Sequence, residues 1–193
     1  MYKLCKTEQS ATRQRKLEQG LLEALKTMRF DEISISDLCD RLQIPRKSFY
    51  RYFGSKDGAL QALIDHTLME FEDYSVQYRQ GKTRTIHLDM ESFFQFWLEK
   101  RDLLDALSHS GISAVLVNRA VVFALTDDVL PVRFMPDDCR EMQNHVIMFC
   151  VCGLMSMALN WHDNGYHQTA AEMARVAVRM ISVPLFPGVD KKL

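Results

Sequence analysis

Leu17, Leu21, Leu25 and Met28 step along the chain at intervals of three and four, the period of a helix that buries one face. They predict a first helix over about residues 12–28. Ile35, Leu38, Cys39 and Leu42 repeat the pattern over a shorter stretch. Ser34 stands before this run with Asp37 three positions on, an arrangement that starts a helix by side-chain capping. The second helix ends near Gln43, because Pro45 biases Ile44 toward an extended backbone and then suits the first turn of a new helix. That third helix covers Arg46 to Tyr52, and Gly54 is placed to end it in the left-handed region. Ser55 then caps a long fourth helix running to about Tyr78.

The remaining residues keep the helical period. Asp89 is expected to cap a helix with Met90, Phe93, Trp97 and Leu98 on one face. Leu103 to Ser108 forms a short helix closed by Gly111, and the very apolar Ile112 to Leu125 reads as buried. Residues 127–136 contain Pro131 and Pro136 and make a break. Asp137 starts a long helix to about Asn164, and Gln168 to Val183 forms the last, with Ala170, Ala171, Ala174, Ala177 and Val178 on a smooth face. Strand-like alternation is absent, so the predicted fold is all-α. It divides into residues 1–60 and a larger helical part, residues 61–193, with the boundary inside the fourth helix and not in a flexible linker.

Helix, short turn, short basic-aromatic helix describes a helix-turn-helix, whose second helix is sized for the major groove of DNA. Arg46 and Lys47 lie at the end of that helix that meets base edges, and arginine can bond guanine bidentately. Ser48 is short enough to approach a base or phosphate. Tyr50 and Tyr52 carry hydroxyls that can donate to phosphates, while Phe49 and Phe53, four apart, face the core. Ile33, Ser34-Ile35, Ser36-Asp37 and Leu38-Cys39, followed after the turn by Ser48-Phe49-Tyr50-Arg51-Tyr52-Phe53 and Lys56, closely resemble the DNA-binding domain of the TetR family of transcriptional regulators. The resemblance covers about residues 12–65. It implies phosphate contacts from Tyr50 and Lys56, and positions near the backbone for Ser34 and Ser36. One departure matters: the family usually has glycine in the turn where this chain has Gln43, and a non-glycine residue held in the left-handed conformation costs about 1–2 kcal/mol. Pro45 stands where the family more often has serine.

The second part resembles the same family more loosely, through Ser92-Phe93-Phe94-Gln95-Phe96-Trp97 followed by Arg101-Asp102-Leu103-Leu104, and through Gly153, Trp161 and Gly165 before an alanine-rich last helix. This implies a dimerising effector domain with a cavity among its middle helices, for which Phe94, Trp97, Phe123 and Phe149 are the candidate lining residues. The function implied is a DNA-binding transcriptional regulator, a repressor released from a palindromic operator by a small-molecule effector. The alternative is a helix-turn-helix regulator or activator that works without such a ligand, through a partner protein. A homodimer is expected because one short recognition helix contacts too few base pairs. Val146, Cys150, Gly153, Met157 and Trp161 on one helix, and Ala170, Ala174, Ala177 and Ile181 on the next, are the stripes predicted to build its interface.

Charge sharpens this picture. The 193 residues carry a net charge of −1, but residues 1–60 hold 12 of the 24 Lys/Arg and only 8 of the 25 Asp/Glu. The excess of positive charge thus coincides with the helix-turn-helix, where attraction to phosphate is needed. The five cysteines have no framework spacing and the first residues lack an apolar leader core, which points to a reducing cytoplasm. The longest apolar stretch, Val146 to Leu159, is shorter than a membrane-spanning helix requires, so no membrane association is expected. Neither a metal nor a cofactor is expected either. Cys150 and Cys152 point about 200° apart on a helix, His162 and His167 do not have zinc-site spacing, and no nucleotide-binding or nucleophile motif appears. The chain does not read as an enzyme.

Overall fold

The structure, a computed structural model, describes residues 7–126 and 141–182. The described residues form helices joined by short turns, with no strand among them: α1 (Glu8–Leu25), a 3-10 turn (Phe30–Glu32), α2 (Ile35–Leu42), α3 (Arg46–Phe53), α4 (Lys56–Tyr78), α5 (Ile86–Glu99), α6 (Arg101–His109), α7 (Ser113–Thr126), α8 (Gln143–Asp163) and α9 (Ala170–Ser182). The predicted break at 127–136 and the expected helix start at Asp137 lie outside the described residues.

Local chemistry explains most of the boundaries. The first helix begins at Glu8, earlier than expected, because the Thr7 hydroxyl accepts from the Ser10 N–H at 3.3 Å. Ser34 and Ser55 cap α2 and α4 as predicted, accepting from Asp37 and Gly58. The fifth helix, in contrast, is capped by Thr85, whose hydroxyl accepts from Leu88 at 3.2 Å. Asp89 lies one turn inside, where Arg79 and Arg84 claim its carboxylate; an acidic residue near a helix start looks the same in sequence whether it caps or pairs.

Helices α1 and α3 pack on α4, and α2 packs on α1 and α3, around a core of Leu17, Leu21, Leu25, Leu38, Phe49 and Phe53, all essentially buried. The 23 residues of α4 make a rod of about 34 Å that leaves this core and enters the second one. There α4 packs on α5 and α7, α5 packs along α9, and α7 along α8. Phe93, Phe94, Phe96 and Trp97 of α5 form a near-continuous aromatic layer, with edge-to-face contacts to Phe71 and Trp161.

Two predictions for the second part are corrected by this packing. The α7 stretch is not buried all round: Leu116, Ala120 and Ala124 point inward while Val122 and Leu125 are exposed. The alanine stripe of α9 belongs to the subunit's own core, since Ala170, Ala174 and Ala177 are buried on the helix that packs against α5. Small residues permit close approach to any neighbour, and periodicity alone does not say which one.

Candidate nucleic-acid interface and apolar cavity

The turn between α2 and α3 fixes how the basic-aromatic helix is presented. Gln43 adopts φ 56°, ψ 40°, the left-handed conformation expected of the residue that replaces glycine. Its N–H reaches the Asp40 carbonyl, and the Ile44 N–H reaches that of Cys39 at 3.0 Å; this paired closure satisfies the carbonyls left over at the end of α2. Gly54, at φ 72°, turns the chain out of α3. Gly58 then lets the start of α4 approach so closely that a methyl group there would run into the Phe53 carbonyl oxygen. These devices hold α3 rigidly on the end of α4.

On α3 the residues of the predicted interface separate into two groups. Arg46, Lys47 and Tyr50 are exposed, with Ser48 half-buried beside them. The Arg46 guanidinium lies 3.5 Å from Asp40. Ser34 and Ser36 are half-buried at the start of α2, and Ser34 is already engaged as the cap. Tyr52 is a correction: its ring is buried against Phe53, and its hydroxyl accepts from Arg51 at 3.0 Å. A tyrosine hydroxyl tells what the side chain can donate, not which way its ring faces. Lys56 is also differently used. Its ammonium donates to the carbonyls of Phe30, Asp31 and Ile33 at 2.5, 3.2 and 2.9 Å and sits 4.7 Å from the Phe30 ring centre, so its three donors tie the 3-10 turn to α4 and are not free for phosphate.

A cavity of about 540 Å³ lies between the C-terminal half of α4 and helices α5, α7 and α8, a volume typical of small-molecule sites. Leu68, Phe71 and Val76 of α4, Phe93 and Trp97 of α5, and Phe123 of α7 form much of its wall, and the inner face of α8, from Val146 and Ile147 to Leu154 and Met155, closes it together with Ile181 of α9. Of the four predicted lining residues, Trp97 and Phe123 are found there. Phe94 is buried behind the wall against Trp161, and Phe149 is 77% exposed on the opposite face of α8. Aromatic content flagged the right helices without telling their inner and outer faces apart. Cys150 also lines the cavity, and burial pushes its thiol above the ordinary cysteine range, which keeps it protonated. Cys39, Cys150 and Cys152 are all free thiols.

The polar end of the cavity has no counterpart among the sequence expectations. Arg79 and Arg84 converge on Asp89 at 2.8 and 2.9 Å, and all three line the space. In sequence, Arg79 and Arg84 belong to an ordinary polar break; only the return of the chain into α5 brings Asp89 between them. Two further polar contacts anchor α4 midway. Asp65, buried, is bound in a fork by Arg119 of α7 at 2.6 and 2.5 Å, and the next residue, His66, lies 2.9 Å from the buried Glu18 of α1.

The described residues thus present a basic helix-turn-helix on one end of a helix that also enters a second helical core. Residues 29–63 match the family model of the bacterial regulatory proteins of the tetR family. Most of the chain superposes on solved structures of the same build. A tetR-family transcriptional regulator from Streptomyces coelicolor is 22% identical with a TM-score of 0.52, over 88% of this chain and 78% of that one. Lin0861 from Listeria innocua is 16% identical with a TM-score of 0.63, over 93% and 97%. The fatty acid degradation regulator FadR from Bacillus halodurans is 11% identical with a TM-score of 0.56, over 92% and 96%. No curated protein matches by sequence. The family match thus covers the helix-turn-helix, and the solved structures share the helical fold.

Proposed function

We propose that the protein is a cytoplasmic, two-fold dimeric repressor that leaves a palindromic operator when a small molecule occupies the cavity. The observation that carries this reading is the shared helix: α4 supports α3 through Gly58 at one end and forms a cavity wall through Leu68, Phe71 and Val76 at the other. A ligand that favours one placement of α4 therefore also favours one placement of α3, which is all that coupling between two sites requires. The Arg119–Asp65 and His66–Glu18 contacts make α4 respond to α7 and pass its position to α1. The functional boundary then falls near residue 60, inside α4. Arg46, Lys47, Ser48 and Tyr50 are the base- and phosphate-facing set, with Ser34 and Ser36 beside the backbone.

The dimer is assigned to the outer faces of α8 and α9. Met148, Phe149, Val176 and Met180 are exposed there, and Gly153 has open space around its α-carbon. The 21-residue α8 is long and apolar enough, by length and composition, to cross a membrane, and its span exceeds the Val146 to Leu159 stretch read from the sequence. A second copy packed on this face covers the same apolar surface without a membrane.

The test is selection from a pool of randomised duplexes by the full chain. An inverted repeat is expected to emerge, and Gly153→Glu is expected to give a monomer by light scattering that no longer retains the selected duplex. Recovery of a single unrepeated half-site, or full binding by a monomeric variant, contradicts the dimeric reading.

A further inference from the structure

The polar end of the cavity has a charge balance that specifies a class of ligand. Asp89 accepts from Arg79 through one terminal guanidinium nitrogen and from Arg84 through Nε, and both of its oxygens are taken. Among the described residues these are the bonds the two guanidiniums make, so most of each fork remains unspent. The neighbouring hydroxyls offer little, because Ser75 and Ser92 donate to the carbonyls of Glu72 and Asp89 on their own helices at 2.9 and 2.8 Å. Glu72, the other acid at the lining, is exposed. Around Asp89 itself, two arginines share one saturated carboxylate, a local excess of a single positive charge beside an otherwise apolar space, with Glu72 the other acid at the lining.

Resting on the reading of this cavity as the effector site, we propose that its ligand is a monocarboxylate amphiphile. The carboxylate docks on the free N–H groups of Arg79 and Arg84, and the apolar body lies between Phe93, Trp97 and Phe123. A planar carboxylate matches the guanidinium fork and gains charge-assisted hydrogen bonds, whereas an ammonium would face two like charges and a neutral head would leave the excess charge unmatched. Asp89 acts as a positioning residue that orients both arginines and lowers their combined charge to one.

Calorimetric titration of the full chain with octanoate, 1-octanol and octylamine separates the possibilities, since the three share one tail. Octanoate is expected to bind about ten-fold tighter than 1-octanol and tighter still than octylamine. Arg84→Gln, at a partly exposed position, is expected to erase that advantage while leaving 1-octanol affinity unchanged, which also reports an intact cavity. Asp89→Asn is expected to strengthen octanoate binding, the reverse of what loss of a purely structural acid would do. If 1-octanol or octylamine binds as well as octanoate, or Arg84→Gln leaves the ranking intact, the carboxylate assignment is overturned while the cavity remains an effector site. If none of the three binds up to its solubility limit, the effector reading of the cavity falls, and this proposal with it.

Discussion

At the N-terminal end of α4, caps, positive-φ turns and a glycine contact fix the geometry of a few short helices; at its C-terminal end, long helices meet through side chains and leave a space of about 540 Å³ between them. The first arrangement places Arg46, Lys47 and Tyr50 on a surface whose spacing is set by backbone hydrogen bonds. The second surrounds a void with aromatic and aliphatic side chains that can change rotamer. Reading a fixed lattice of phosphates calls for the first kind of construction, and accepting a ligand calls for the second. One helix belongs to both, which is the link that the proposed coupling between ligand and DNA uses.

Truncating one aromatic in each region puts the two kinds of construction side by side. Phe49 is fully buried and packs 5.1 Å from Phe53, centre to centre, so Phe49→Ala is expected to cost about 3–5 kcal/mol in urea unfolding. Phe123, half-buried with one side on the cavity, is expected to lose only about 1 kcal/mol as alanine, because much of its surface already lacks packing partners. Equal losses would mean that the void is filled in solution. A smaller effect of opposite sign is expected at the turn. Gln43→Gly removes the left-handed penalty at φ 56° and is expected to stabilise by about 1 kcal/mol, the relief being partly offset by glycine's greater freedom when unfolded. A destabilised Gln43→Gly would show that the glutamine side chain, and not the backbone, holds this turn.

The same contrast explains what could be read from the sequence. Ser34, Gln43, Gly54 and Ser55 are local signals: each acts within four residues, and their effects appear where the chain order predicts them. The short basic-aromatic helix α3 and the exposure of Arg46, Lys47 and Tyr50 were therefore legible. Tyr52 and Lys56 were not. Whether Lys56 faces solvent or a carbonyl cluster depends on the 3-10 turn at Phe30–Glu32, over twenty residues away, and the burial of Tyr52 depends on how α3 sits against its neighbours. In the second part, helix type was legible from periodicity, but the partner of each face was not. The alanine stripe of α9 packs on α5, Phe149 points outward, and Arg79, Arg84 and Asp89 meet only after the chain has turned back. Contacts of this kind carry no fixed spacing.

Everything else depends on the rigid end of α4 binding DNA through the exposed basic face of α3. The salt dependence of binding to the selected duplex, for the native chain and for Lys47→Ala, addresses that directly. Several phosphate contacts per dimer predict a steep linear fall of log K with log salt. Lys47→Ala is expected to weaken binding across sequences and to flatten the slope by about one for each phosphate that the ammonium no longer neutralises. A shallow slope that Lys47→Ala leaves unchanged would mean that α3 is not the surface that meets DNA.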